Sequence, residues 1–143
     1  PVYYGVIFVL ATLTFWRHSP VGILALMVLC GGDGFADIIG RRWGKRKLPW
    51  APGKSWIGSL AMFLASLTFG LIMVFAFDAW GYFHLPLGSG STVIAIIAIA
   101  LVATAVESLP LDHVDNITVF LAGLLTAWLL VFPADFWQVP FWG

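Results

Sequence analysis

Between Trp56 and Phe77 the chain runs without a single charged side chain. A helix crosses the roughly 30 Å hydrocarbon layer of a bilayer with about 20 apolar residues, and lipid admits only elements that satisfy their own backbone hydrogen bonds. Four more runs approach that length: Val2–Trp16, Pro20–Gly40, Ser91–Glu107 and Ile117–Phe132. Composition agrees, because 61% of the 143 residues are hydrophobic, 10% are charged and the mean hydropathy is +0.98. Too little polar surface is left to clothe a water-soluble core. The expected fold is therefore all-α, a polytopic membrane helix bundle of about five transmembrane helices, forming one integral-membrane domain over residues 1–143. Position 1 is Pro rather than Met, so further segments are expected ahead of it; no cleavable targeting peptide is visible.

Short polar links separate these runs. Ser19 and Pro20 suit the N-cap and first turn of the second span, and "HLPLGSGS" breaks the chain before the fourth. There is no repeat, no heptad run and no second domain. Cys30 is the only cysteine, so no disulfide can form within the chain. The net charge of zero hides an asymmetry: Arg41, Arg42, Lys45, Arg46, Lys47 and Lys54 all lie between spans two and three. No nucleic-acid face or acidic tail results. By the positive-inside rule this basic loop, residues 41–55, faces the cytoplasm or its organellar equivalent. Alternation of spans returns the acidic loop "ESLPLDHVDN", residues 107–116, to the same face. Trp16, Trp56 and Trp80 fall at span ends, where indoles favour the headgroup layer.

The two loops hold the candidate chemistry. If span two is helical to Gly40, Asp33 sits roughly 10 Å below the boundary, a depth at which a carboxylate is costly and its default reading is functional. Asp33 and Asp37 share a helix face, and Arg41 continues the stripe. Gly31, Gly32 and Gly34 would let the helix break and bring backbone close to a ligand. Carboxylates followed by an Arg/Lys-rich segment suit Mg²⁺ and a polyphosphate. Plainer readings stand beside this one. An i,i+4 ion pair explains Asp37 and Arg41 but not Asp33. The basic run serves equally as a topology signal or a lipid-headgroup contact. Asp115 and Asn116 are as well placed to cap the fifth helix as to bind a ligand. Glu107, at a span end, favours function. Asp112 and His113 read as solvated loop, Asp78 and Asp135 as interfacial, and His18 and His84 fall on the opposite face.

"PGKS" at Pro52–Ser55 ends like a P-loop, but that pattern needs Gly where this chain has Leu48. Gly53, Lys54 and Ser55 can still meet phosphate as a loop entering span three, aided by that helix's first N–H groups. No Ser/His/Asp triad, zinc spacing or haem motif is present, which leaves phosphate chemistry as the main reading.

"GDGFADIIGRRWG", "KLPW", "GKSWIGSLAMF" and "ATAVESLPLDHVDNITVFLAG" resemble the membrane kinases of isoprenoid alcohols, the phytol and farnesol kinase family. More distant relatives are the dolichol kinases, CTP-dependent diacylglycerol kinases and phosphatidate cytidylyltransferases. The resemblance covers about Cys30 to Gly123; the last span and the tail "FPADFWQVPFWG" carry none of it. It implies CTP as phosphate donor, Mg²⁺ as cofactor and a lipid alcohol as acceptor. Together with the loop chemistry it assigns Asp33, Asp37, Glu107 and Asp115 to catalysis and Mg²⁺. Gly32, Gly34, Arg41, Arg42, Lys45, Lys54, Ser55 and Asn116 fall to the nucleotide phosphates. One aspartate would accept the hydroxyl proton, and the prenyl tail would lie between spans among membrane lipids. The expected host is a bacterial inner membrane or a plastid or other organelle membrane. Two alternatives stay open. A phosphatidate cytidylyltransferase would use the same loops to make a CDP-lipid, and a transporter or lipid-binding scaffold would use Asp33 and Asp37 to relay protons or hold a cation. Neither the particular alcohol nor the oligomeric state is set by these residues.

Overall fold

A computed structural model of the protein describes residues 2–15, 20–82, 88–111 and 115–131. It is a helical bundle: α1 (Val2–Phe15), α2 (Pro20–Met27), a π-helical segment (Val28–Asp33), α3 (Gly34–Trp43), α4 (Trp56–Ala79), α5 (Gly88–Glu107) and α6 (Asp115–Val131). Among the described residues three stretches are long and apolar enough to cross a membrane, Val21–Trp43, Trp56–Ala79 and Gly88–Glu107. The expected count of five is thus not met by length. At 1.5 Å per residue α1 and α6 rise only about 21 Å and about 26 Å, short of the hydrocarbon thickness. The all-α expectation needs a second correction. The basic loop folds as an antiparallel hairpin, β1 (Lys47–Leu48) with β2 (Ala51–Ser55), pairing Lys47 with Ser55 and Leu48 with Ala51. Leu48 and Ala51 are buried, which docks the hairpin on the bundle.

Inside and outside are both apolar, as lipid requires. The main core joins Leu24, Val28, Met62, Val74, Ile96, Ile99 and Val119, and a smaller cluster joins Ala11, Ala25, Leu29 and Phe120. On the outer faces Leu60, Leu64, Ile72, Ile94, Leu101, Leu125 and Leu129 are exposed. In water such a surface would drive association; in hydrocarbon it is the ordinary exterior. Size separates the two sides instead. The buried face of α5 carries Ala95, Ala100 and Ala103 between its isoleucines, and small residues let membrane helices approach closely.

The glycines of span two do not break it. Val28–Asp33 widens to a π-helical turn and the rod continues into α3. That turn lies flush against α4: a methyl group at Gly32 would fall on Ser66 Oγ and 2.7 Å from Met62 Sδ, and one at Gly31 would come 2.6 Å from the Phe69 ring. Gly34, by contrast, has nothing within 4 Å. Gly32→Ala should therefore destabilise the bundle by about 1–3 kcal/mol, the usual cost of overpacking a filled core, whereas Gly34→Ala should leave the melting temperature nearly unchanged. Thermal unfolding of both variants in detergent checks this; equal melting temperatures would mean that the turn does not bear on α4.

Candidate functional site

Where the hairpin meets the bundle there is a cavity of about 550 Å³. The rod of span two contributes Asp33, Gly34, Asp37 and Arg41, the hairpin contributes Lys47, Gly53 and Lys54, and Glu107 comes from the end of α5. Ser55, Gly58 and Ser59 line it from the start of α4. Ser55 has extended backbone (φ −137, ψ 151) and its Oγ accepts a hydrogen bond from Gly58 N at 3.2 Å. It is the N-cap that ends the strand and begins the helix, as its residue type favours. Glycines let α3 and α4 close around it. A methyl at Gly44 would lie 2.5 Å from Ser55 Oγ, and one at Gly58 would lie 3.0 Å from Ser55 Oγ and 3.2 Å from Ala36 O.

Across the cavity, Lys54 Nζ donates to Glu107 Oε1 at 2.8 Å, joining the hairpin to α5. Their side chains are 18% and 6% exposed. Glu107 is the last residue of α5, where the helix dipole disfavours a negative charge, and burial disfavours it further. Its other oxygen, Oε2, is buried without a hydrogen-bond partner. A carboxylate so placed is poorly explained by stability. The Trp50 indole N–H adds a second tie, donating to Ser108 O at 3.0 Å. On the opposite wall Arg41 Nε meets Asp37 Oδ1 at 2.6 Å, with side chains 81% and 55% exposed. An ion pair that open to solvent adds little stability. The cavity thus presents carboxylates and cations together at one end of an apolar bundle.

Searches with family models and against solved structures return no match. Curated sequences do match. The chain is 46% identical over 132 residues to "Probable phytol kinase 1, chloroplastic" of Oryza sativa subsp. japonica, covering 91% of this chain and 41% of the relative. It is 40% identical over 131 residues to "Phytol kinase 1, chloroplastic" of Arabidopsis thaliana, covering 90% and 42%. With "Farnesol kinase, chloroplastic" of the same plant it shares 36% over 132 residues, covering 91% and 42%. Over about nine tenths of its length the chain is thus similar to phytol and farnesol kinases. It spans about two fifths of the length of the curated relatives it matches.

Of the site residues expected from the sequence and its resemblance, Asp33, Gly34, Asp37, Arg41, Lys54, Ser55 and Glu107 line the cavity. Gly32 does not; it is buried against Met62 and Ser66. Arg42 and Lys45 are also off the cavity wall. Both are exposed, and the Arg42 guanidinium lies 5.9 Å from the centre of the Trp43 ring. Asp115 and Asn116 begin α6, and their side chains lie outside the description, as do Asp112 and His113. Among the described residues no three His, Cys, Asp or Glu side chains gather closely enough to hold a metal. Asp33, Asp37 and Glu107 share the cavity, and the fourth expected carboxylate, Asp115, lies outside the described side chains. Ala36, Gly40, Lys47, Gly58 and Ser59 also line the cavity, and sequence reasoning placed none of them in the site. Ser59 is one small residue in an apolar run and sends no signal; Lys47 was legible only as one base among six.

Proposed function

We propose that this protein is a membrane lipid kinase that moves the γ-phosphoryl group of a nucleoside triphosphate onto the hydroxyl of an isoprenoid alcohol such as phytol, geranylgeraniol or farnesol. The observation that carries this reading is the juxtaposition of carboxylates and cations in one cavity at the end of an apolar bundle. Phosphoryl transfer asks little covalent chemistry of a protein; it asks for placement of donor and acceptor and for neutralised charge. CTP as the donor follows from the family resemblance.

Asp33 and Asp37 fit Mg²⁺, which takes one or two carboxylates and fills its shell with water and phosphate oxygens, so no third carboxylate is required. Asp115 and Asn116 stay in the proposed site on the resemblance alone. Bound there, Mg²⁺ would offset charge on the phosphate oxygens. Arg41, Lys47 and Lys54 would bind the remaining phosphate oxygens, and Gly53 would let the hairpin backbone approach them. Glu107 would hold the Lys54 ammonium in place across the cavity. Arg42 and Lys45, exposed and close in sequence to the cavity-lining Arg41 and Lys47, would draw nucleotide and anionic headgroups toward the cavity.

The basic hairpin argues for a cytoplasmic or equivalent organellar face, in a bacterial inner membrane or a plastid membrane. We place α1 and α6 as the shorter crossings of a five-span bundle, since Ala11 and Phe120 share a core cluster with Ala25 and Leu29. Full-length protein in liposomes, given phytol and CTP labelled in turn at the γ- and α-phosphate, should pass only the γ-label to lipid and release CDP. Transfer of α-label would instead establish cytidylyl transfer and overturn the kinase reading.

A further inference from the structure

The hairpin's two-residue loop is Pro49 and Trp50, enclosed by the Leu48–Ala51 pair. Proline suits a turn, but an indole is not what turn chemistry selects: tight hairpin loops favour glycine, asparagine or aspartate for their backbone freedom. Trp50 is also exposed, so core packing does not explain it either. Its position does. An extended chain rises about 3.3 Å per residue, and a hairpin standing upright would carry Trp50 about 20 Å beyond Trp56. Instead the two rings meet edge to face with centroids 5.8 Å apart, and the Trp50 indole N–H donates to Ser108 O at 3.0 Å. Trp56 opens one span, and Ser108 follows Glu107, which closes another. The tip of the hairpin is therefore folded back to the level of the span ends.

In a bilayer that level is the headgroup layer, where indoles concentrate. Trp43 closes the Val21–Trp43 span, and it and Trp56 are exposed there as well. Positive charge accompanies the three indoles. Arg42, Lys45 and Arg46 are exposed, line no wall of the cavity and, among the described residues, make no ion pair. A triphosphate seated in the cavity leaves these three bases unmet. Phosphates of the surrounding leaflet meet them, since basic segments beside a span attract anionic lipid. We infer that the hairpin is seated in the headgroup layer through Trp50, and that Arg42, Lys45 and Arg46 bind the phosphates of anionic phospholipids there. The inference rests on the bundle crossing a membrane and goes beyond the kinase reading, because it fixes the depth of the hairpin and the lipid it selects.

Two measurements on the full-length protein test it. The first is depth. A fluorophore on Pro49→Cys, an exposed position, in a Cys30→Ser background should be quenched in liposomes by phospholipid carrying a nitroxide on its headgroup, and far less by one carrying it deep in the acyl chain. Quenching by neither lipid would stand the hairpin in water, and stronger quenching by the deep nitroxide would sink it into hydrocarbon; either result overturns the inference. The second is lipid choice. Protein released from mixed bilayers should retain phosphatidylglycerol in preference to phosphatidylcholine, as weighed by native mass spectrometry. The preference should fall with Arg42→Gln, Lys45→Gln or Arg46→Gln and be lost when all three are combined. Equal retention of the two lipids by wild type overturns the inference. So does a preference that survives the triple variant, and a rise in nucleotide KM beside it would give the bases to the nucleotide. Phosphoryl transfer enters neither of the two main readouts, so failure of the kinase reading is seen separately.

Discussion

Asp33→Asn should lower the proposed phosphoryl transfer by at least about a hundredfold, the scale seen when one electrostatic stabiliser of a transition state is removed, and leave the bundle folded. Asp33 stands at the junction of the π-helical segment and α3, in the N-cap position, but its side chain makes no capping hydrogen bond. The helix does not depend on it for that. Asparagine keeps the shape and discards the charge, which a bound Mg²⁺ would need. Turnover in liposomes together with thermal unfolding separates the two effects. Activity within a few fold of wild type would remove Asp33 from the site; a large loss of stability would make it a structural residue.

Lys54→Met should have the largest effect on stability. Removing one partner of a buried ion pair leaves the other charge uncompensated, at a cost of about 3–5 kcal/mol. Glu107 is 4% exposed and ends a helix whose dipole already opposes its charge. Lys54→Met/Glu107→Leu should regain much of that loss, because a buried pair replaced by apolar side chains is often neutral. The double variant should nevertheless stay inactive, having lost the cation from the phosphate site. Melting temperature and turnover measured on both variants would show stability and activity moving apart. Equal destabilisation of single and double variants would mean that the pair does not account for the burial of Glu107.

What the sequence made legible was what composition and local pattern control. Two of the three long spans follow from unbroken apolar runs: Trp56–Phe77 becomes Trp56–Ala79, and Ser91–Glu107 becomes Gly88–Glu107. Helix periodicity put Asp33, Asp37 and Arg41 on one face, and the Asp37–Arg41 pair forms as i,i+4 spacing allows. Glycines were legible as special positions but their use was not. A break and a π-helical turn demand the same small residues, and only the side chains of Met62, Ser66 and Phe69 on α4 decide between them. The hairpin was hidden because its strands are short and its burial depends on Leu48 and Ala51 meeting the bundle. Nothing local pairs Lys54 with Glu107 rather than with another acid, since that contact joins residues far apart in the chain. Ser59 was hidden for the same reason, because its place in the cavity comes from tertiary packing.

The account stands or falls on where the triphosphate sits. An experimental structure of the full-length protein with Mg²⁺ and a non-hydrolysable CTP analogue should show the phosphates in the cavity between Asp33 and Asp37 on one wall and Lys54 on the other. Density for the triphosphate elsewhere, with that cavity empty, would contradict it.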